Sequence, residues 1–364
     1  MEYREIGSTG LKASRIGLGG FAFAICRQKE VERAVDRAFE LGINYFDSAR
    51  LYGTEGKIGT ALKGRRDDII LAGKCHFRTR KEVEESLHKS LRELKTDHFD
   101  IFHVHDLKSE EDLDEVLKPG GVLELYEEFR KQGKIRFIGT TRHSSQALVK
   151  ALKTGRFDLA YGRYNPTTLQ NEDSVIPLAA KLKKGFVNIS ALAWGIYSVP
   201  VEHHPFIVGG KRMPAAVASF RYVLSNPDVN VVLAGVREPA ELDELIETES
   251  LPPLTEEEKA QIIYHSWRLG RGAGCTQCGV CLPCPEGIHI PVYFRYKTYF
   301  DEYKTSEYPG LTWQAFADPF SKGCTECGIC EDRCPFDLPI IETLKEVDKK
   351  AEAIRHPTYQ DEYD

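Results

Sequence analysis

The sequence predicts a closed barrel of eight parallel strands, each followed by a helix, joined to a cysteine-rich C-terminal domain. Two observations carry this prediction. Strand-like and helix-like apolar patterns alternate from Ser14 to Glu247, and most of the 10 cysteines are crowded between Cys275 and Cys334. Repeated strand-then-helix units fit a (β/α)8 barrel, whose usual size is about 250 residues. We therefore predict that residues 1–254 form the barrel and residues 255–364 the second domain.

The individual elements follow from turn residues and from hydrophobic periodicity. Residues 3–18, interrupted by Gly7-Ser8-Thr9-Gly10, are typical of a hairpin that leads into the first barrel strand. The alternation then predicts strands at 43–46, 69–73, 99–104, 135–139, 159–164, 187–192 and 229–233. It predicts helices at 28–41, 55–62, 80–94, 123–131, 145–152, 175–184, 214–224 and 239–247.

Beyond the barrel, Leu251-Pro252-Pro253-Leu254 resembles a domain boundary. A helix is predicted at 255–269, because Thr255 and Glu258 have the spacing of an N-terminal capping box. An open, doubly wound sheet is the alternative fold class for the first 254 residues. Its dinucleotide-binding form carries G-x-G-x-x-G after the first strand, and this chain has none there, so we favour the barrel.

The charge distribution excludes some classes of function. The formal net charge is -6, and acidic and basic residues are interspersed, which gives no indication of binding to nucleic acid or to an anionic membrane. The N-terminal residues lack the apolar region of a signal peptide, and no apolar run reaches the roughly 18 residues of a membrane span. We expect a cytoplasmic protein.

Polar side chains follow three successive predicted strands. Asp47 and Tyr52 come after the second strand, Lys74 ends the third, and His105 ends the fourth. Active sites of such barrels lie at the carboxyl ends of the strands, so the four side chains are expected to converge at one mouth. Taken singly, Lys74 suits a surface charge, Asp47 a helix cap, and the neighbouring His103 a packed core side chain.

Together the four groups suit acid catalysis. A tyrosine titrates near pH ~10, and a neighbouring ammonium lowers that pKa by stabilising the phenolate. Lys74 can supply the ammonium, Asp47 can hold it by an ion pair, and a neutral His105 can donate a hydrogen bond to a substrate oxygen. Tyr52 would then protonate a carbonyl oxygen while a hydride reaches its carbon.

These segments resemble the aldo-keto reductase family. F-D-S-A-R-L-Y-G-T-E at 46–55, Leu71-Ala72-Gly73-Lys74 and T-D-H-F-D-I-F-H-V-H at 96–105 are similar to three of its motifs in order and spacing. The resemblance covers residues 1–250 or thereabouts. It implies a (β/α)8 barrel and a nicotinamide cofactor bound across the mouth without a Rossmann domain. It also implies Tyr52 as general acid, Asp47 and Lys74 as its tuners, and His105 as substrate orienter.

The resemblance also implies cofactor contacts, although several positions depart from the family pattern. Gly139-Thr140-Thr141-Arg142 stands where the family has G-x-S-N, so Thr141 keeps a hydroxyl and Arg142 replaces an asparagine. The segment 161–165 keeps Asn165 but has Tyr161 in place of a glutamine. The remaining implied contacts are Ala191 after strand seven and, near the adenosine phosphate after strand eight, Gly235, Arg237 and Glu241.

The choice between NADP(H) and NAD(H) depends on the last of these positions. The Arg237 guanidinium suits a 2′-phosphate, whereas the acidic Glu241 suits a ribose hydroxyl. We favour NADP(H), with NAD(H) as the alternative.

The C-terminal cysteines form two runs that each end in Cys-Pro. The first is C-x2-C-x2-C-x2-C-P and the second C-x2-C-x2-C-x3-C-P, the run of bacterial ferredoxins, which predicts a ferredoxin-like domain with two [4Fe-4S] clusters. Zinc is the alternative for paired C-x2-C motifs. The fourth cysteine of each ferredoxin run ligates the other cluster. The predicted ligand sets are therefore Cys275, Cys278, Cys281 and Cys334 for one cluster, and Cys324, Cys327, Cys330 and Cys284 for the other.

Three functions remain open from the sequence. The leading one is an NAD(P)H-dependent oxidoreductase that reduces an aldehyde or ketone. Its substrate is a small-molecule carbonyl compound or the corresponding alcohol. The second is an electron-transfer protein whose clusters exchange electrons with a redox partner such as a ferredoxin or a flavoprotein, with the barrel as the docking or mediator site. The third is a binding or regulatory protein with an inactive barrel. Cys26 and Cys75, outside the runs, are expected to be buried thiols.

Overall fold

The structure is a computed structural model that describes residues 1–142, 145–193, 197, 206–270, 275, 279–301 and 323–353. The chain divides into two compact units. The first comprises Met1–Ala191 and Ser219–Leu254, and the second Leu192–Ala218 and Thr255–Asp364.

The first unit is a closed parallel barrel. Its eight strands follow one another around the barrel in chain order, and the last pairs with the first, which confirms the predicted fold class. The barrel strands are β3 (Ile16–Gly19), β4 (Tyr45–Asp47), β5 (Ile70–Cys75), β6 (Phe99–Val104), β7 (Ile135–Thr141), β8 (Leu159–Arg163), β9 (Gly185–Ile189) and β12 (Val231–Ala234). The seventh strand ends earlier than the sequence predicts because Ser190 adopts a left-handed backbone conformation, with φ of 60°.

Helices surround this barrel in the predicted alternation. They are α1 (Gln28–Glu40), α2 (Glu55–Ala61), α3 (Arg80–Glu93), α4 (Glu110–Leu117), α5 (Val122–Lys131), α6 (Ser145–Lys153), α7 (Val175–Lys181), α8 (Ala215–Leu224) and α9 (Pro239–Ile246). Helix α4 was not predicted. Its start is fixed by Ser109, whose side chain accepts a hydrogen bond from the Asp112 backbone N–H.

Strand register brings the polar positions of the sequence to one level of the barrel. Asp47 is paired with Ala72, Lys74 with His103, and Thr141 with Tyr161. Because all eight strands are parallel, their carboxyl ends form one mouth. The side chains expected at the site therefore start from the same end of the barrel.

The opposite end of the barrel is closed by an N-terminal hairpin. Strands β1 (Tyr3–Glu5) and β2 (Lys12–Ser14) pair antiparallel. Ile6, Leu11 and Ala13 of this hairpin belong to the buried core cluster that includes the first residues of several barrel strands. Gly7, with φ of 53°, passes so close to the Gly185 backbone that a Cβ would lie 2.5 Å from its nitrogen. Glycine is therefore required at this turn.

The second unit contains a hairpin and several helices in its described part. These elements are β10 (Phe206–Val208), β11 (Lys211–Met213), α10 (Glu256–Gly270), α11 (Ile290–Asp301), α12 (Ile329–Asp332) and α13 (Ile340–Ala353). The predicted capping box of α10 is present, since Thr255 N–H donates to Glu258 and Glu258 N–H donates to the Thr255 hydroxyl. Among the described residues, no helix is both long and apolar enough to cross a membrane.

Replacing Leu11 by alanine tests the closing role of the hairpin. Leu11 lies in the core cluster and is 7% exposed, so truncation should lower the free energy of unfolding by roughly 2–4 kcal/mol. Leu182→Ala is the matched control, because Leu182 is 39% exposed and its truncation should cost much less. Urea unfolding followed by circular dichroism provides the measurement. Equal losses for the two variants would contradict a closing role for the hairpin.

Candidate active site

Two short elements place Asp47 and Tyr52. Asp47 is the last residue of the fully buried strand β4, and Tyr52 ends a 3-10 turn, Arg50–Tyr52. Gly53 follows with φ of 66° and allows the chain to reverse into α2. Asp47 is thereby fixed in the barrel wall, while Tyr52 is carried on a tight turn at the mouth.

Lys74 and Asp47 form a buried ion pair. Their side chains are 3% and 4% exposed, and Lys74 Nζ donates to Asp47 Oδ1. Lys74 Nζ also donates to the carbonyl of Ser48 at 3.1 Å. Burial disfavours the charged ammonium, but the Asp47 carboxylate and Tyr52 outweigh burial and raise the Lys74 pKa. Lys74 is therefore a cation at physiological pH.

The Asp47 carboxyl has the opposite balance. Burial raises its pKa, and the charge of Lys74 together with hydrogen bonding from Lys74 and Tyr161 lowers it, with a net rise. The ion pair thus keeps a carboxylate in a place where an unpaired one would take up a proton.

Tyr52 lies beside this ammonium. Lys74 Nζ is 5.1 Å from the centroid of the Tyr52 ring, and Phe21 packs edge-on against Tyr52 with centroids 5.2 Å apart. Burial raises the pKa of Tyr52, the Lys74 charge lowers it, and the net direction is upward. The lysine therefore acts in the direction that the sequence predicts, but burial has the greater influence on this phenol.

His105 completes the group at the mouth. Its ring centroid is 6.3 Å from that of Tyr52, with the rings nearly perpendicular at 88°. The backbone of His105 is held by Arg78, whose guanidinium donates to the carbonyls of His105 and Asp106 at 3.0 Å and pairs with Asp112. Arg78 was not predicted, since its partners lie about 30 residues away and no motif marks it.

His103 is a different kind of histidine. It is fully buried and its ring centroid lies 3.9 Å from that of Tyr161. Burial, followed by the charges of Lys74 and His105, holds the pKa of His103 well below its usual range. His103 is therefore a neutral core side chain, in agreement with the packed alternative.

The positions expected to contact a nicotinamide already have partners within the chain. The Thr141 hydroxyl accepts the Asp106 N–H at 2.9 Å, and Arg142 Nη1 pairs with the Asp106 carboxylate at 2.7 Å. Asn165 Nδ2 donates to the Ser190 carbonyl at 2.9 Å. The first two bonds join the loop after β6 to the end of β7, and the third joins the loop after β8 to the residue after β9.

Three further positions differ in their exposure and partners. Tyr161 is fully buried, and its hydroxyl is hydrogen-bonded to that of Tyr45. The Ala191 carbonyl accepts the Ser219 hydroxyl at 2.6 Å. Gly235 is open, with Ala22 Cβ 3.7 Å from where its own Cβ would lie.

Glu241 occupies the position beside Arg237. One carboxylate oxygen accepts the Arg237 backbone N–H at 2.6 Å, and the other lies 3.4 Å from the Arg237 guanidinium. An anionic group that approached this guanidinium would therefore meet a carboxylate already paired with it.

An anchor for the Tyr52 turn was not predicted from the sequence. Arg50, the first residue of the turn, pairs with Glu55 at 2.8 Å and with Glu93 at 2.6 Å. Glu55 is 1% exposed. The glutamate five residues after an arginine within the same motif was a usable signal, because both flank the tyrosine.

In the second unit, cysteines line two hollows. One, of about 360 Å³ including its opening, is lined by Cys281, Cys284, Cys324, Cys327 and Cys330 among others. The other, of about 330 Å³, is lined by Cys275, Cys281 and Cys334 among others. Cys278 lies outside the described residues. Within the described residues, no three Cys, His, Asp or Glu side chains form a group that could hold a metal ion.

Both remaining cysteines are buried thiols, as predicted, with Cys26 3% and Cys75 1% exposed. Burial is the main cause that raises the pKa of each thiol, for Cys26 to about 11.

Comparison with known proteins gives two domain matches. Residues 15–205 match the family model "Aldo/keto reductase family", and residues 274–339 match a "4Fe-4S dicluster domain". L-galactose dehydrogenase of Arabidopsis thaliana is 30% identical over 67% of this chain and 86% of its own length. The oxidoreductase YqkF of Bacillus subtilis is 27% identical over 73% of this chain and 97% of its own length.

A solved structure has the same barrel. The aldo-keto reductase AKR11C1 of Bacillus halodurans, in its holo form, superposes with a TM-score of 0.63 at 26% identity, covering 73% of this chain and 96% of that one. Because the chain has the closed barrel and both domain matches, it belongs to the aldo/keto reductase family of oxidoreductases and carries a C-terminal 4Fe-4S dicluster domain.

Proposed function

We propose that the barrel reduces an aldehyde or ketone by hydride transfer from NAD(P)H, with Tyr52 as the general acid. One observation carries this proposal: the buried Lys74 ammonium is held by Asp47 and lies directly against the Tyr52 ring. An ammonium in that place stabilises the phenolate that remains once the proton has left.

Reduction of a carbonyl to an alcohol requires a hydride and a proton, and the proposed groups supply both. A reduced nicotinamide would supply the hydride to the carbonyl carbon. Tyr52 gives its proton to the carbonyl oxygen, so the product is an alcohol and the tyrosine becomes a phenolate beside Lys74. Water or a proton relay then restores the phenol. His105, perpendicular to Tyr52, would donate a hydrogen bond that orients the carbonyl oxygen.

The electrostatics of Tyr52 suit an acid rather than a base. Burial keeps the phenol protonated near neutral pH, because its pKa is raised. The Lys74 charge and its hydrogen bonding oppose that rise. The proton is therefore retained until a substrate oxygen begins to gain negative charge, and the ammonium then lowers the free energy of the product phenolate.

The cofactor is proposed to be NADP(H) or NAD(H), held at the mouth by the loops after β7, β8, β9 and β12. The proposed contacts lie in these loops or at the strand ends before them: Thr141, Arg142, Asn165, Ala191, Gly235 and Arg237. At the β12 end, Glu241 pairs with Arg237. A 2′-phosphate would have to displace that carboxylate, whereas a ribose hydroxyl could donate to it. This arrangement reduces the advantage that Arg237 alone would give to NADP(H).

The C-terminal domain is proposed to hold two [4Fe-4S] clusters. Thiols are the donors that such clusters require, and the two cysteine-lined hollows separate the residues much as the ferredoxin spacing predicts. Cys324, Cys327, Cys330 and Cys284 share one hollow, while Cys275, Cys281 and Cys334 share the other. Cys281 lines both hollows, and the spacing assigns it with Cys275.

Replacing Tyr52 by phenylalanine should lower kcat/KM for carbonyl reduction by roughly 10²- to 10⁴-fold, the usual contribution of a positioned acid. The measurement is NAD(P)H oxidation with a panel of aldehydes and ketones, with NADPH and NADH compared side by side. Cofactor affinity, measured by calorimetry, should stay close to that of the unmodified protein because the ring remains.

Tyr126→Phe is the matched control for Tyr52→Phe. Tyr126 is a buried tyrosine whose hydroxyl donates to the His103 carbonyl at 3.0 Å and does not contact the ion pair. It should keep near-normal turnover. Full activity in Tyr52→Phe would rule out the assigned acid, and absence of cofactor binding in the unmodified protein would favour a binding or regulatory role.

The cysteine assignment is tested by metal content. Anaerobically purified protein should contain about eight iron and eight sulfide per chain, as two [4Fe-4S] clusters require. Cys324→Ser combined with Cys327→Ser should remove about half of both, while Cys26→Ser, a buried thiol outside the runs, should remove none. Zinc in place of iron would contradict the proposal.

The second candidate function is electron transfer, and the cysteine-lined hollows are the observation that favours it. Cluster absorption that bleaches with NAD(P)H or with reduced ferredoxin would support this role. Clusters that accept electrons from neither donor would be structural.

A further inference from the structure

Buried aromatic side chains lie beside the ion pair inside the barrel. Tyr161, on β8, is fully buried and packs against the His103 ring, with centroids 3.9 Å apart and the ring planes tilted by 53°. Lys74 Nζ lies 5.5 Å from the centroid of the Tyr161 ring. The hydroxyl of Tyr161 is hydrogen-bonded to the hydroxyl of Tyr45, which is also fully buried.

The Asp47 carboxylate has a place for such a hydroxyl. Oδ1 accepts from Lys74, but Oδ2 is buried and has no hydrogen bond of ordinary geometry within the described residues. A buried carboxylate oxygen without a donor is costly. Burial raises the pKa of both Asp47 and Tyr161, and the nearby Tyr161 hydroxyl acts in the opposite direction on Asp47, lowering the pKa of the carboxyl.

The direction of the chain of donors follows from the number of protons. Tyr161 has one hydroxyl proton, and an ionised carboxylate can only accept. When Tyr161 donates to Asp47, its own oxygen is left to accept the Tyr45 proton. Donation therefore runs from Tyr45 to Tyr161 and from Tyr161 to Asp47, and the same carboxylate accepts from Lys74, which also interacts with Tyr52.

We propose that Tyr161 is a positioning residue: its hydroxyl, supported by Tyr45, keeps Asp47 ionised and so fixes the Lys74 ammonium beside Tyr52. This inference rests on the proposed reduction by Tyr52. It gives Tyr161 a role different from the cofactor contact that the family resemblance implies for its position, because the side chain is fully buried. A neutral hydroxyl donor stabilises the Asp47 carboxylate without placing a second charge beside the Lys74 ammonium.

The titratable groups around Asp47 come from every neighbouring element. Tyr45 shares its strand, Tyr52 lies on the following turn, Lys74 projects from β5 and Tyr161 from β8, while His103 on β6 faces Tyr161 and Lys74. His103 stays neutral because its pKa is well below its usual range. Asp47 is thus the group whose protonation disrupts the ion pair as the pH falls.

Tyr161→Phe tests the proposal, because it removes the hydroxyl and keeps the ring that packs against His103. Loss of a donor raises the pKa of the carboxyl, so the acidic limb of the kcat/KM profile should move to higher pH by roughly one unit. Near neutral pH, kcat should fall by about tenfold with little change in KM. Tyr45→Phe should shift the limb in the same direction by less. Tyr126→Phe should lose some stability and leave the limb in place.

A second measurement separates this inference from the proposed reaction. In protein labelled with ¹³C at aspartate carboxyls, the Asp47 resonance is assigned by its loss in Asp47→Asn and then titrated without substrate. Tyr161→Phe should move its midpoint upward. An unmoved midpoint would overturn the role of Tyr161 even if Tyr52→Phe abolishes activity. A moved midpoint in a protein that reduces no carbonyl would retain that role and reject the reaction. An equal shift in Tyr126→Phe would show a merely structural effect.

Discussion

The buried ion pair between Lys74 and Asp47 is the constraint on which the barrel mouth depends. Removing two charges from water costs several kcal/mol per ion, and the mutual attraction offsets this only when the remaining donors and acceptors are also satisfied. Lys74 meets that condition through Asp47, the Ser48 carbonyl and Tyr52. Loss of either partner would leave an uncompensated charge in the barrel, which typically costs roughly 3–5 kcal/mol.

The same pair determines the pKa values of its neighbours, although not always in the expected direction. A lysine beside a tyrosine suggests a strongly acidic phenol, but Tyr52 retains a raised pKa because burial dominates. That outcome is compatible with acid catalysis, since an acid must hold its proton until the substrate oxygen needs it. In the proposed reaction, the ammonium would act mainly on the product phenolate rather than on the resting enzyme.

Much of the barrel was readable from sequence because its signals are local. Apolar strands and amphipathic helices alternate within short windows, and the barrel rule then places Asp47, Lys74 and His105 at one mouth without knowledge of their contacts. The burial of the Tyr161 side chain and the partner of its hydroxyl could not be predicted in this way. A residue aligned with a cofactor-contacting position gives no indication that its hydroxyl bonds to Tyr45, 116 residues earlier in the chain.

The loops at the mouth show the same limit. The predicted cofactor contact of Arg142 gave no sign that Arg142 pairs with Asp106, or that Arg78 donates to the backbone carbonyl of Asp106 in the same loop. These bonds join residues roughly 30 positions apart that no motif links. The ferredoxin-like runs are the opposite case. The spacing alone identifies the candidate ligand cysteines. The tertiary structure determines which of these cysteines line the same hollow, and Cys281 lines both hollows.

The proposed chemistry also constrains what the second domain can contribute. A hydride and the Tyr52 proton together convert a carbonyl to an alcohol, so the reaction needs no electron from an iron–sulfur cluster. Clusters exchange single electrons and nicotinamides exchange pairs, so direct coupling would need a group able to do both, such as a flavin. The sequence shows no flavin motif. The proposed carbonyl reduction and the proposed cluster chemistry are therefore independent of each other. The roles of Tyr52 and of the cysteines have to be tested by different measurements.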